Sequence, residues 1–335
     1  VSAILSQLGV VDETTYGTAV AVTKFFEFNS ESIAGKYERI ESESIRAGQK
    51  VLRTDRWIPN AKGAEGDIEI EVLTRGFGFW LKYMLGTVAT GTTTDSATTH
   101  TATLGPLDGK SFTCQVGRPD ITNTVRPYTY AGGKVTEWEL KNSVDGVLTC
   151  NFTCDFASET IPVASPSGPF ALQAFGIPAT GADLFPYLNG SLTIGGIEVP
   201  ISEFSLKASN TLKTDRFFIR STGGKREQRE DGMRTYEWSV TAEFEDLNQI
   251  SRVASATRAG ATAQIVASWT GPTLIGVTTF PALTITLPQA RFDEPSTVGI
   301  DGAEQPDLEL SGMALGPTDG SSPVSIAYRT ADATL

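Results

Sequence analysis

The chain has 335 residues, 40% of them hydrophobic and 20% charged, with 39 acids against 27 bases and a formal net charge of −12. That composition belongs to a globular protein long enough for two ordinary domains or one large β domain, and it excludes a disordered chain. It also excludes a tight nucleic-acid binder, whose surface would carry a basic stripe, but it leaves room for a surface along which DNA slides without sticking. No apolar run approaches the ~20 residues that span a bilayer. No basic start with a following apolar run marks a secretory leader, so folding in the cytoplasm of the producing cell is expected.

In chain order, LGVVDETTYGTAV (8–20) comes first, with Asp12, Glu13 and Tyr16 in a place where many chains carry a frayed tail. An extended segment (25–33) leads into a charged stretch, 41–66, that mixes Arg53, Arg56 and Trp57. The alternation of GDIEIEVLT (66–74) predicts a strand whose outward face carries Glu69 and Glu71. RGFGFWLKYMLG (75–86) places Phe77, Trp80, Leu81 and Met84 at helical spacing, which predicts one short helix packed on a sheet. The Thr/Gly/Ala run 89–105 reads as a surface loop, with the single histidine, His100, solvated in it. Strands are predicted near 110–117, 128–142 and 146–156. Cys150 and Cys154 fall on one face of the last, and with Cys114 they read as buried thiols, not as a disulfide or zinc framework.

The stretch 159–187 has linker composition, with Phe170, Phe175 and Phe185 pinned against a surface. Beyond it, Gly195–Gly196 predicts a tight hairpin turn. A strand (197–208) and a charged arm (213–232) come next, with Arg216, Phe217, Phe218, Lys225, Arg226 and Arg229 around an apolar base and a charged tip. A strand (233–243), a helix (244–257) with Leu247, Ile250 and Val253 inward, and strands near 262–270, 280–291 and 306–315 complete the chain. This order repeats that of the first half, so a duplicated β–loop–β–α–β–β–β unit is expected. The fold class is mainly β: two tandem β-barrel or sandwich units, 1–165 and 188–335, joined by a Pro/Gly-rich linker at 166–187. Each unit carries one short flanking helix and long charged loops.

Nothing in the sequence assembles catalytic machinery. A lone histidine in a loop supports no nucleophile system, and no glycine-rich phosphate loop is present. The carboxylate pairs Asp12–Glu13, Glu41–Glu43, Glu69–Glu71 and Asp293–Glu294 come with no aromatic-lined cleft. The acidic run 301–307 lacks the ligand spacing of a calcium loop. The expectation is a non-enzyme with no cofactor and no metal. The two long charged loops with embedded aromatics suit subunit contacts.

Gly9 to Thr18 follows the pattern G-x-x-x-E-x-x-[YF]-G-T and runs on into FFEFNSESI. This start resembles that of siphophage tail tube, or major tail, proteins. The resemblance implies a structural virion protein that polymerises as stacked rings into a tail tube with an acidic lumen for DNA passage during ejection. It implies self-association, with three two-unit copies favoured over six per ring. It further implies tape-measure, tail terminator and distal tail proteins as partners, assembly in the host cytoplasm and no membrane insertion. Asp12, Glu13, Tyr16, Arg53, Arg56, Trp57, Arg216, Phe217, Phe218, Lys225, Arg226 and Arg229 are the expected interface residues, and residues 1–20 are expected to dock only on assembly. Glu137 and Glu139, or Glu198 and Glu203, are the expected lumen acids. A tandem β-sandwich adhesin or capsid-decoration protein is the alternative, and a β-rich polysaccharide hydrolase the third reading.

Overall fold

The computed structural model describes residues 3–161, 166–176, 182–220, 224–244, 247–294 and 307–335. The run 301–307 lies outside these apart from Asp307, as do residues 221–223 of the charged stretch 213–232. Where β-branched and aromatic residues alternate with polar ones the chain is extended, because such a segment half-buries a pleated surface. The first half supplies β1 (Gln7–Asp12), β2 (Lys24–Phe26), β3 (Ser30–Glu31), β4 (Ala34–Glu41), β5 (Trp57–Glu71), β6 (Gly86–Thr90), β7 (Thr98–Leu104), β8 (Phe112–Pro119), β9 (Val125–Ser143), β10 (Thr149–Phe156) and β11 (Ser158–Thr160). The second supplies β12 (Gly190–Ile194), β13 (Ile197–Glu198), β14 (Ile201–Ser209), β15 (Leu212–Lys213), β16 (Arg229–Glu230), β17 (Thr235–Glu243), β18 (Thr262–Thr270), β19 (Ala282–Glu294), β20 (Asp307–Ala314) and β21 (Ser325–Thr330). The helices are α1 (Gly78–Met84) and α2 (Asn248–Val253).

The central run is antiparallel throughout, in the order β4–β5–β10–β9–β14–β17–β20–β19. Its β9–β14 ladder, from Glu137↔Ser209 to Ser143↔Glu203, makes one sheet of the two halves. The N-terminal part of β9 belongs to another run, β2–β1–β8–β9, with β11 on its far edge. The hand-over between the runs falls at Gly132–Gly133. Gly132 has φ +70°, and a Cβ there would meet the Ala157 Cβ at 2.6 Å, so only glycine fits. Strand β19 is shared in the same way. It pairs with β18 along one edge and, along the other, with β21 at Ala282–Thr286 and β20 at Ala290–Glu294.

Helix α1 forms as its spacing predicts and buries Phe79, Trp80, Leu81 and Met84. Trp80 stacks on Phe152 with centroids 4.4 Å apart, and Phe112 packs edge-on against both Trp80 and Phe156. Helix α2 departs from expectation. It has six residues, Leu247 stands exposed, and Ile250 and Val253 are only half-buried. Its spacing is helical, but it packs at the margin of the core and has no deep surface to fill.

Three expectations are corrected. Residues 89–105 are not a surface loop but the β6–β7 hairpin, and His100 is fully buried. Its Nδ1 bonds the Thr90 hydroxyl at 2.9 Å and its Nε2 the Asp332 carbonyl at 2.9 Å, so the threonine-rich run pairs with β21. The charged stretch 41–66 is a loop only at 42–56, the tip of a long β4–β5 hairpin, and its second part, 57–66, is ladder. The start of the chain is built into its own subunit, with β1 lying between β2 and β8. The Gly195–Gly196 turn is as predicted, both glycines having positive φ, between β12 and β13. Within 159–187, Leu184 bridges to Leu73, Pro186 bridges to Val147 and Phe185 is buried between them.

Candidate functional site

Cross-strand neighbours of the central run fall into rows. One row reads Glu71, Thr149, Lys141, Ser205, Ser239, Ser311, and the next Glu69, Asn151, Glu139, Lys207, Glu237, Met313. A third reads Asp67, Thr153, Glu137, Ser209, Thr235. A fourth, spanning fewer strands, brings Ser143, Glu203, Thr241 and Glu309 together. Between the second and third rows lie Ile68, Phe152, Trp138, Ala208 and Tyr236, all buried. Side chains alternate across a pleat, so one face of this sheet is core and the other is polar and strongly acidic. Lys141 lies 3.8 Å from Glu69 and Lys207 lies 3.7 Å from Glu137, which only partly offsets the acids. The Ser205 hydroxyl donates to Glu139 at 2.7 Å. Of the expected lumen acids, Glu137, Glu139 and Glu203 share this face. Glu198 does not: it sits on β13, at the edge of the β12–β18 ladder.

The second arm was expected to project away from its domain, and much of it does not. Beyond the short β15–β16 ribbon it returns across the first half of the chain. Lys225 is buried and donates to both Asp155 oxygens at 2.6 Å. Gln228, also buried, donates to the same carboxylate at 2.5 Å. Lys134 donates to Glu227 at 2.6 Å and to the Leu107 carbonyl at 2.8 Å. The Gly109 and Leu107 amides donate to Glu227 and Glu230 at 2.6 and 3.0 Å. Burial pushes the Asp155 carboxyl up against the pull of Lys225, and pushes the Lys134 ammonium down against that of Glu227. Arg216 donates to the Glu227 carbonyl, and Phe217 lies half-buried under Lys62 and Lys225. Phe218, Arg226 and Arg229 stay exposed. Sequence reasoning missed Asp155 and Lys134, since β10 alone would place Asp155 on an outward position. Only the covering arm buries it.

The opening motif is likewise held within the subunit. Glu13 accepts bonds from the Ser111 and Thr113 hydroxyls at 2.7 and 2.9 Å, and from the Gly17 and Gly132 amides at 2.9 and 2.8 Å. Asp12 accepts from Tyr83 at 2.6 Å and pairs with Lys82 at 2.6 Å. Tyr16 donates to the Arg226 carbonyl at 3.3 Å, so the motif also touches the arm. The first arm is different. Arg53 pairs locally with Asp55, Arg56 is exposed, and Trp57 lies exposed beneath Arg39.

Among the described residues no group of three or more His, Cys, Asp or Glu is placed to hold a metal ion. The three thiols are buried, and burial pushes each of them up, away from the reactive thiolate. The broad acidic sheet face and the two long arms are the surfaces that stand out on this mainly β chain among the described residues. The profile of phage tail tube proteins matches residues 4–314, and the chain belongs to that family. It is therefore a structural component of a virion tail. No curated protein matches it.

Proposed function

We propose that copies of this chain stack as rings into the tail tube, with the acidic face of the central sheet lining a bore through which DNA passes during ejection. The observation that carries this reading is the continuity of that face across the β9–β14 ladder, where the two halves already join edge to edge. An open sheet edge invites further pairing, and a ring satisfies every edge at once. Contacts along the axis that do not close then give a filament. An acidic wall repels the phosphate backbone, so DNA slides without adsorbing.

Three copies per ring follow if each copy holds two equivalent units. The pairings β2–β1–β8–β9–β10–β5 recur as β13–β12–β18–β19–β20–β17. The irregularities recur with them. One separates Phe112↔Gly133 from Cys114↔Tyr130, and its counterpart separates Ala263↔Ala290 from Ile265↔Leu287. Another separates Thr153↔Glu137 from Cys154↔Val135, and its counterpart Ser311↔Glu294 from Gly312↔Phe292. Bulges bend strands, so matched bulges support two units of one shape. Tape-measure, terminator and distal tail proteins would meet such a tube in its bore and at its ends.

Negative-stain electron microscopy over a concentration series, with light scattering beside it, tests the proposal. Hollow tubes with three subunits per ring are expected. Discrete closed oligomers at every concentration would count decisively against it.

A further inference from the structure

The two units carry equivalent arms, of which only one is seated. Gly35↔Ala64 on β4–β5 matches Ala208↔Tyr236 on β14–β17, so residues 36–63 correspond to 209–235 and the arms are of nearly equal length. The second arm lies on the first unit, held by Lys134, Asp155 and the backbone of Leu107 and Gly109. The first arm stands in solvent, with Ile45 100%, Val51 72% and Ile58 65% exposed. So much apolar surface on one hairpin marks an interaction site.

The matched bulges show where its seat lies. They carry Gly132 onto Gln289, Lys134 onto Arg291 and Leu107 onto Arg258. These residues, with Thr257, Ala261 and Leu315, line an open groove on the second unit, at the place where the first unit receives its arm. We infer that this groove is the seat for the 36–63 hairpin of a second copy of this chain. The inference rests on the self-assembly reading and names the contact that would knit neighbouring copies.

The chemistry of the two surfaces is complementary. Counting back from the matched Ala64 and Tyr236, Asp55 falls where Glu227 lies, and Arg291 stands where Lys134 stands. Asp55 and Arg291 would thus meet across the copies as Glu227 and Lys134 meet within one. In the single chain each is held by a near neighbour, Asp55 by Arg53 and Arg291 by Asp293. Such exposed local pairs are weak and exchange readily. Trp57 and Ile58 would bring their apolar surface to Ala261 and Leu315.

Charge reversal and cross-linking test the contact on the full chain under conditions where the wild type forms tubes. Asp55→Arg and Arg291→Asp should each raise the concentration needed for assembly about tenfold, and the double reversal should restore it. Urea midpoints confirm that each variant is folded, and Asp55→Asn replaces any variant that is not. Mixing an Ile58→Cys chain with an Arg258→Cys chain should give an oxidised dimer that neither forms alone, against a low background because the native cysteines are buried. Tubes that form with no cross-link and no effect of either reversal overturn the docking but leave the tube standing. A wild-type chain that forms no tubes, together with a mixed cysteine pair that gives no cross-linked dimer, overturns both.

Discussion

Asp155 holds the second arm: its carboxylate receives Lys225 and Gln228 in a site closed to water. Asp155→Ala leaves a buried ammonium without its counter-charge, which costs about 3–5 kcal/mol. A urea midpoint lowered to match is expected, and an unchanged midpoint would show that Lys225 finds water or another partner. Glu227 and Glu230 titrate below the ordinary glutamate range despite the opposing effect of burial, because Lys134 with the Gly109 amide, and the Leu107 amide with Arg234, hold them ionised. Their contribution is therefore complete above the unfolded glutamate range and is lost as pH falls through the lower folded values. Hydrogen exchange, corrected for intrinsic rates, should show 224–230 opening between pH 5 and pH 3, ahead of β9 and β10, within the acid range such carboxylates span. The buried thiols of Cys114, Cys150 and Cys154 should stay silent to a thiol reagent until the chain is unfolded.

At the scale of elements, α1 was legible because an amphipathic stripe of aromatics has one place to go, onto the sheet. Trp80→Ala removes the ring stacked on Phe152 and should cost about 3–5 kcal/mol, read as a fall in the denaturation midpoint with the slope unchanged. Helix α2 shows the limit of periodicity. Leu247, Ile250 and Val253 have helical spacing, but spacing does not say how deep a groove awaits them. His100 shows it again: a threonine-rich run with a glycine reads as a loop until β21 pairs with it and the C-terminal turn supplies a carbonyl for the ring. Gly132 is the opposite case. Gly132→Ala forces positive φ on a side chain and a 2.6 Å clash with Ala157, so it should destabilise the junction of the two β runs. A midpoint equal to wild type would show that β9 can cross between them without that conformation.

At the scale of the molecule, the acidic face is a property of the assembled sheet. Glu69, Glu137, Glu139, Glu203 and Glu237 come from four strands in both halves of the sequence, and their rows exist only once β9 meets β14. Replacing Glu137, Glu139 and Glu203 together by lysine removes the Ser205 bond to Glu139 and the Lys207 pairing of Glu137, so a modestly lowered urea midpoint with the fold retained is expected. If this face lines the bore as proposed, assembled tubes of the variant should retain DNA at low salt where wild-type tubes do not. Retention is read by co-sedimentation, and unchanged release would remove these residues from the wall.

The sequence by itself determined most of the long strands, though not β4, β6, β7 or β21, together with the first helix, the buried thiols and the acidic balance, and its opening motif pointed to the family that the profile then matched. These are local matters: period-2 burial, helical spacing and composition are written in neighbouring residues. Only the tertiary structure decided that Glu13 and Lys225 are internal, that His100 is core, that Glu137, Glu139 and Glu203 share a face, and that one arm is seated while the other stands free. Each of these depends on which distant strand or loop covers a given edge. That choice is made by long-range pairing and desolvation, which no short window of sequence records.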